Sequence, residues 1–218
     1  MKTIELFDIT KTMAEPLLRE CEYPEKALLR LQEFIEELGH ALDTKRYAEA
    51  SEGVWIAKSA RVSHSACIMP PCIIGEDTEI RQGAFIRGSV IVGCGCVVGN
   101  SSEVKNSILF DRVQVPHFNY VGDSILGYAS HLGAGAVTSN VKSDKSDVFV
   151  THDGERQNTY RRKLGVMIGD HTEVGCGAVL CPGTIIGKNS TVYPLSLVRG
   201  TVPSDSIFKG QDNITKKQ

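Results

Sequence analysis

An apolar side chain recurs at every sixth residue through much of this 218-residue chain. The first column holds ten such positions, nine of them aliphatic: Ile56, Val62, Ile68, Ile74, Ile80, Ile86, Val92, Val98, Val104 and Phe110. Two later registers contain Leu126 and Leu132, and then Ile168, Val174, Leu180, Ile186, Val192 and Val198. A period of six fits neither an α-helix nor a plain alternating strand. It predicts short strands joined by tight corners, in coils that stack and bury the column.

Two stretches interrupt this period. Around residues 111–125 the register shifts, and His117 lies in the shifted stretch. Residues 139–167 form a long polar insert. Because long irregular inserts in repeat arrays are usually functional, we expect this one to be a loop that projects from one corner and serves the site.

The first 52 residues differ in kind from the repeats. Leu28, Leu31 and Ile35 begin an apolar stripe at helical spacing, and Pro24 suits a helix start. We expect a short N-terminal α-helical cap over the open end of the first coil. The predicted boundaries are a helical segment at 1–52, a repeat domain at 53–210 that includes the insert 139–167, and a frayed polar tail at 211–218.

Composition excludes several classes of function. The formal net charge is −2, which disfavours a nucleic-acid or membrane-surface binder. No apolar run is long enough for a membrane span, and the acidic start MKTIELFDIT has no signal-peptide core, so we expect a cytoplasmic protein. The seven cysteines are odd in number and form no CxxC pair, which favours small buried side chains over a zinc site.

Arg87 and Lys105 are 18 residues apart, which is three hexads. They should therefore lie on adjacent coils about 4.8 Å apart. Two such cations repel unless an anion joins them, which predicts a phosphate or carboxylate seat; the alternative is two solvated surface charges. His117 follows Lys105 by two hexads, so it can approach the same groove as a general base, with Asp123 or a backbone carbonyl orienting its ring. A structural histidine in a turn is the other interpretation.

These residues also form a longer motif, H-x-x-Y-x-G-D, preceded by a valine-lysine pair and followed by G-A-G and an asparagine. Its members are Val104, Lys105, His117, Tyr120, Gly122, Asp123, Gly133, Ala134, Gly135 and Asn140. The motif resembles the acetyltransferase half of the bifunctional glucosamine-1-phosphate N-acetyltransferase/N-acetylglucosamine-1-phosphate uridylyltransferases. The RRKLG stretch at 161–165 is similar to the archaeal sugar-1-phosphate nucleotidylyltransferase/acetyltransferase branch in particular. The resemblance covers roughly residues 54–205.

The resemblance implies an all-β fold, a left-handed parallel β-helix of hexapeptide repeats with three hexads per triangular coil. It implies an N-acetyltransferase that uses acetyl-CoA as co-substrate, requires no metal, and acts on an amino-sugar 1-phosphate in UDP-sugar precursor synthesis. It also implies a homotrimer with its sites between subunits.

Roles for individual residues follow from the same resemblance. His117 would be the general base, and Arg87 and Lys105 would hold the sugar phosphate. Tyr120 and Asn140 would contact the acceptor, as would His131, which stands where the bacterial enzymes have asparagine. Cys176, Pro194 and Lys209 would bind acetyl-CoA.

Some features leave alternatives open. His131 and the Asn140-Val141 pair differ from the bacterial pattern, so the acceptor could be another amino-sugar 1-phosphate, galactosamine 1-phosphate included. A zinc carbonic anhydrase of the same fold would need three histidines, of which His117 and His131 could be two. The third possibility is a non-catalytic module that binds a sugar nucleotide or scaffolds a partner. A separate nucleotidylyltransferase could then bind the N-terminal helices.

The sequence contains no glycine-rich nucleotide loop. We therefore expect no uridylyl transfer: the purified chain, given UTP and N-acetylglucosamine 1-phosphate, should release no pyrophosphate in a coupled phosphate assay. Pyrophosphate release above a protein-free blank would contradict this expectation.

Overall fold

The computed structural model describes residues 1–152 and 154–217 and shows a parallel β-helix with three faces, sheets A, B and C. Sheet A contains β1 (Tyr47–Ser51), β2 (Val54–Ala57), β5 (Cys72–Ile74), β8 (Val90–Val92), β11 (Ser107–Leu109), β14 (Ile125–Leu126), β19 (Met167–Ile168), β22 (Ile185–Ile186) and β25 (Thr201–Val202). Sheet B contains β3 (Arg61–Val62), β6 (Glu79–Ile80), β9 (Val97–Asn100), β12 (Gln114–His117), β15 (His131–Leu132), β20 (Glu173–Val174), β23 (Thr191–Val192), β26 (Ser206–Gly210) and β27 (Asn213–Lys216). Sheet C contains β4 (Cys67–Met69), β7 (Phe85–Arg87), β10 (Glu103–Lys105), β13 (Tyr120–Gly122), β16 (Val137–Thr138), β21 (Val179–Leu180) and β24 (Leu197–Val198). The predicted parallel β-helix is confirmed.

The inward column of the helix follows the apolar column of the sequence as far as Val104. Leu109 is then the partner of Val92, so the prediction that Phe110 belongs to the column is wrong, and Phe110 contacts Phe7 of the N-terminal segment instead. Each coil passes through sheets A, B and C in turn, and parallel pairing sets equivalent residues side by side. Ile86, Val104 and Val121 are successive inward residues of sheet C and are fully buried. Their burial supplies the main stabilisation of the stack, because each buried aliphatic side chain contributes about 1.5–3 kcal/mol.

The register shifts at two corners, one inside the predicted stretch 111–125 and one before it. Ile108 is 17 residues from each of its partners on the two neighbouring coils, whereas 18 is the regular spacing. In both coils the residue is lost at the corner between sheets C and A, at 105–107 and 122–124. The corner that contains His117 keeps its regular length, so the prediction that His117 lies in the shift is wrong.

The N-terminal segment covers the outside of sheet A. It contains α1 (Thr3–Leu6), α2 (Glu15–Arg19), α3 (Leu31–Ala41) and the 3-10 turns Ile9–Lys11 and Pro24–Leu29. The outward residues of sheet A are large and buried: Trp55, Ile73, Ile91, Ile108, Ile125, Met167 and Ile185. α3 packs against β5 and β8, and the Asp170 N–H donates to the Leu6 carbonyl at 3.1 Å, so the segment runs along several coils.

The prediction that these helices cap the first coil is therefore wrong. An outward face of aliphatic residues would otherwise lie in water, and the helical segment removes it from solvent. Strand structure also begins earlier than predicted, because β1 pairs antiparallel with β2. At the other end β27 pairs antiparallel with β26, so 213–216 are part of sheet B rather than a frayed tail. No helix among the described residues is long and apolar enough to cross a bilayer.

The insert leaves sheet C after β16 and returns to sheet A at β19. It contains an antiparallel hairpin of β17 (Phe149–His152) and β18 (Glu155–Asn158). His152 is buried, with Nε2 3.0 Å from Glu25 Oε1 and its ring stacked on Tyr23 at 3.9 Å. The insert is thus attached to the N-terminal segment, and it does not project freely from the corner.

Candidate functional site

His117 lies at the corner between sheets B and C, as the last residue of β12. Its N–H donates to Asn119 Oδ1 at 3.0 Å, and Asn119 Nδ2 donates to the carbonyls of Gly133 and Ala136. Asn119 is only 2% exposed, so a buried amide holds the corner that presents the histidine. Our sequence reasoning missed Asn119. The sequence did mark this residue: Asn119 stands four positions after the inward Val115, where other hexads have a small residue.

The imidazole of His117 is exposed, and within the described residues it forms no hydrogen bond. The suggested contact with Asp123 is absent, because the Asp123 carboxylate is engaged by other side chains. The His117 ring is therefore open to a ligand, and nothing in the described part of the chain competes for its nitrogens.

The residues predicted to bind acetyl-CoA lie along the same edge as His117. Backbone hydrogen bonds of 2.9–3.0 Å between adjoining turns align one residue per coil: His117, Ala134, Cys176 and Pro194. At one strand spacing per coil, Cys176 and Pro194 lie about 10 and 14 Å from His117. Lys209 is on the next coil, with Nζ 5.6 Å from the centroid of the Tyr193 ring. His117, Cys176 and Pro194 thus lie on one line along the helix axis, with Ala134 between the first two, and Lys209 lies one residue to the side of that line.

Arg87 and Lys105 are neighbours on sheet C, as their spacing predicts. They are not unpaired, however. Arg87 Nη1 donates to Glu103 Oε1 at 2.6 Å, and Lys105 Nζ lies 3.3 Å from Asp123 Oδ2. Both carboxylates come from adjacent coils, and sequence spacing alone gave no reason to place them there.

Asp123 is the centre of a polar cluster at the end of β13. Its side chain is 5% exposed, and its backbone is left-handed with φ 50°. Asn106 Nδ2 donates to Oδ1 at 2.7 Å, and Asn140 Nδ2 donates to Oδ2. Lys105 and Arg161 form ion pairs with the same carboxylate, the latter at 3.9 Å. Asp123 therefore holds four donors in place at once.

Tyr120 lies beside this cluster. Burial raises the pKa of its hydroxyl, and the Asp123 and Glu103 carboxylates raise it further. The phenol thus remains protonated at neutral pH and can donate a hydrogen bond. A side chain at Gly122 would come within 2.6 Å of Tyr120 Oη and 2.9 Å of Asn140 Nδ2, so glycine at this position lets the two groups meet.

His131 lies elsewhere, on the outer face of sheet B. Its Nδ1 is 2.8 Å from Glu173 Oε2 on the next coil. The structure thus brings Arg87, Lys105, Tyr120 and Asn140 together on sheet C and leaves His131 apart. Within the described residues of this chain no group of three or more His, Cys, Asp or Glu side chains could hold a metal ion.

A cavity of about 590 Å³ opens between the β17–β18 hairpin and the later coils. Arg156, Arg199 and Phe149 line it, and the Arg156 guanidinium lies 4.1 Å from the centroid of the Phe149 ring. Arg199 continues the edge of sheet C on which Arg87 and Lys105 lie. Arg156 of the insert thus lines the same cavity as Arg199 of this edge.

We expect Asp123→Asn to destabilise the fold. The variant keeps the shape of the side chain but leaves Lys105 and Arg161 without their shared negative charge. Breaking a buried ion pair typically costs 3–5 kcal/mol, so the free energy of unfolding in urea should fall by about 3 kcal/mol. Asp144→Asn, at an exposed carboxylate of the insert, is the control and should change it by less than about 0.5 kcal/mol. Equal unfolding curves for Asp123→Asn and wild type would contradict this prediction.

Comparison with known proteins gives three findings. The model of the GMPPB C-terminal domain matches residues 68–153. A bifunctional protein GlmU of Methanococcus maripaludis is 37% identical over 137 residues, which are 62% of this chain and 33% of that protein. A bifunctional sugar-1-phosphate nucleotidylyltransferase/acetyltransferase of Sulfurisphaera tokodaii is 34% identical over 155 residues, with 63% of this chain and 39% of that protein covered.

Among solved structures, one described as an acetyltransferase of Bacillus cereus aligns with a TM-score of 0.48 and 16% identity. The alignment covers 72% of this chain and 77% of that one. The chain spans about a third to two fifths of the length of the curated relatives it matches. The predicted resemblance to the bifunctional sugar-1-phosphate acetyltransferase/nucleotidylyltransferase proteins, the archaeal ones included, is confirmed.

Proposed function

We propose that this chain is an acetyl-CoA-dependent N-acetyltransferase that acts on an amino-sugar 1-phosphate in UDP-sugar precursor synthesis. One observation carries the proposal. An exposed histidine stands on one edge of sheet C, in line with the predicted acetyl-CoA row, and a cation cluster stands at the other end of the same short strands. Strands of three residues span only about 10 Å, so both ends can be reached by one sugar phosphate.

The reaction joins the 2-amino group of the sugar to the acetyl group of acetyl-CoA. The lone pair of the amine attacks the thioester carbonyl while His117 takes a proton from the same nitrogen. A C–N bond forms, the C–S bond breaks, and coenzyme A leaves as a thiolate that takes up a proton. General base catalysis of this kind contributes about 10²–10⁴-fold to the rate.

The acceptor is held by the polar cluster of sheet C. Lys105 and Arg87 provide positive charge for the phosphate, and the Tyr120 hydroxyl and the Asn140 amide provide directional hydrogen bonds. The acetyl-CoA chain extends along Cys176 and Pro194 toward Lys209, whose ammonium meets its phosphates. A separate nucleotidylyltransferase is the partner that would use the N-acetylated sugar 1-phosphate.

His117→Ala should reduce coenzyme A release by about 10²–10⁴-fold, because the variant loses the base and keeps the binding residues. The measurement is thiol release from acetyl-CoA with a panel of amino-sugar 1-phosphates, galactosamine 1-phosphate included. His64→Ala, at an exposed histidine far along the chain, is the control and should behave as wild type. If no acceptor gives more release with wild type than with His117→Ala, the acetyltransferase proposal fails and a non-catalytic binding module takes its place.

The proposed assembly is a homotrimer in which acceptor and acetyl-CoA bind between subunits. Large apolar side chains are exposed near the His117 edge, with Phe118 62% and Leu195 84% exposed. Leu197 and Tyr193 add to them on the same coils. Grouped apolar exposure of this kind marks an interaction surface, which supports contact between copies along the predicted acetyl-CoA row.

Light scattering should give the mass of a trimer for wild type. Leu195→Asp should lower the mass, because a carboxylate would then be buried at the contact. Leu29→Asp changes a leucine that is 68% exposed on the N-terminal segment, so it should leave the trimer intact. A monomeric wild type at micromolar concentration, or a trimeric Leu195→Asp, would argue against this interface.

A further inference from the structure

More positive charge surrounds Asp123 than one carboxylate neutralises. Lys105 and Arg161 both form ion pairs with it, at 3.3 and 3.9 Å, and both side chains are less than one fifth exposed. Asn106 and Asn140 occupy the same two oxygens with amide hydrogen bonds. Lys105, Arg161 and Asp123 by themselves have a net charge of +1, which a further anion would neutralise. The Glu25 carboxylate also acts on Arg161, but its Oε1 already lies 3.0 Å from His152 Nε2.

Arg161 has more donors than its surroundings use. It stands at the start of the return from the insert, and its Nη1 donates to the Glu25 carbonyl at 3.4 Å. Its contact with Asp123 is a long ion pair. A guanidinium has five N–H donors, so most of them have no acceptor in the described residues. Burial lowers the pKa of Arg161, but a guanidinium remains charged at neutral pH.

Arg87 differs from Arg161 in its exposure to solvent and in its pairing with a carboxylate. Its side chain is 45% exposed, and its Nη1 donates to Glu103 Oε1 at 2.6 Å. A carboxylate already neutralises it, and solvent screens what remains. Arg87 therefore attracts a further anion less strongly than Arg161 does.

We propose that Lys105 and Arg161 together bind the phosphate of the acceptor, with Asp123 holding both side chains in position. Arg161 is then a substrate-binding residue that the insert delivers to sheet C. The inference rests on the proposed function for the identity of the acceptor, a sugar phosphate monoester. The planar fork of a guanidinium matches two phosphate oxygens, which an ammonium group cannot do alone.

The alternative is that Arg161 is only a structural tie between the insert, Glu25 and Asp123. The two roles differ in one measurable respect. A phosphate-binding residue affects acceptors that carry the phosphate, whereas a structural tie affects every acceptor by the same factor.

The test compares glucosamine 1-phosphate with glucosamine, which has the same amine and lacks the phosphate. Arg161→Gln should lower kcat/KM for glucosamine 1-phosphate about 10- to 100-fold and leave the value for glucosamine within about twofold. Arg162→Gln removes the adjacent, exposed arginine and should match wild type with both acceptors. An equal loss of kcat/KM for both acceptors in Arg161→Gln overturns the proposal.

Lys105→Gln is the second variant, since Lys105 lies on β10 and not on the insert. It should reduce the preference for the phosphorylated acceptor in the same way. If Arg161→Gln does not fold, the test rests on Lys105→Gln. An unchanged ratio of kcat/KM for glucosamine 1-phosphate over glucosamine in that variant would reject a phosphate site shared by Lys105 and Arg161.

Binding without turnover separates this inference from the proposed function. Calorimetric titration of the full chain with glucosamine 1-phosphate, and with inorganic phosphate, should show an affinity that Arg161→Gln lowers at least tenfold and Arg162→Gln leaves unchanged. A wild type that binds both ligands through Arg161 but releases no coenzyme A would reject the acetyltransferase and retain the phosphate seat. Equal affinities for wild type and Arg161→Gln would reject the seat itself.

Discussion

The stacking of coils about one strand spacing apart determines where every functional side chain lies. Inward aliphatic residues such as Ile86 and Val104 hold neighbouring coils together, and parallel pairing keeps the register. Residues distant in sequence by one coil thereby become neighbours in space. Arg87 and Lys105 meet in this way, and so do His117 and the later residues of its edge. A disturbance of the stack would separate all of these pairs together.

The period of six was enough to predict the β-helix, the inward column and the juxtaposition of Arg87 and Lys105. It failed where the corners change length, because a single-residue deletion at 105–107 leaves the hexads on either side regular in composition. The partners of the cations were also missed. Whether Glu103 and Asp123 reach Arg87 and Lys105 depends on which corner is shortened, and a period does not contain that information.

The sequence does indicate that sheet A is covered, through a pattern that a search for the six-residue period alone overlooks. Every third hexad carries an aliphatic residue directly before the inward one, as at Ile73, Ile91 and Ile108. Such pairs predict a strand buried on both faces, which needs something outside it. The contacts of Arg161, His152 and Glu25 had no comparable signal. They join positions more than one hundred residues apart, and no local pattern relates them.

The carboxylates beside Arg87 and Lys105 have a consequence for binding. Two adjacent cations without counter-charges would repel each other while the site is empty, at a cost in stability. Glu103 and Asp123 remove that cost and fix the positions of the cations, so less side-chain freedom is lost when an anionic ligand arrives. The weaker pairing of Arg161 leaves it able to attract the ligand. The cluster thus contains two cations fixed by carboxylates, Arg87 and Lys105, and a third, Arg161, that is incompletely neutralised.

The N-terminal segment and the acceptor site are physically connected through the insert. Glu25 receives His152 of the β17–β18 hairpin on its carboxylate and Arg161 on its carbonyl, while Arg161 also faces Asp123. The segment that shields sheet A therefore also fixes the height at which the insert lies over sheet C. Glycine at position 165 lets the end of the insert lie directly against β13, because any side chain there would come within 2.1 Å of the Gly122 carbonyl oxygen. Since Glu25 belongs to the segment that covers sheet A and also contacts the arginine beside Asp123, the N-terminal segment contributes to the architecture of the site as well as to the stability of the fold.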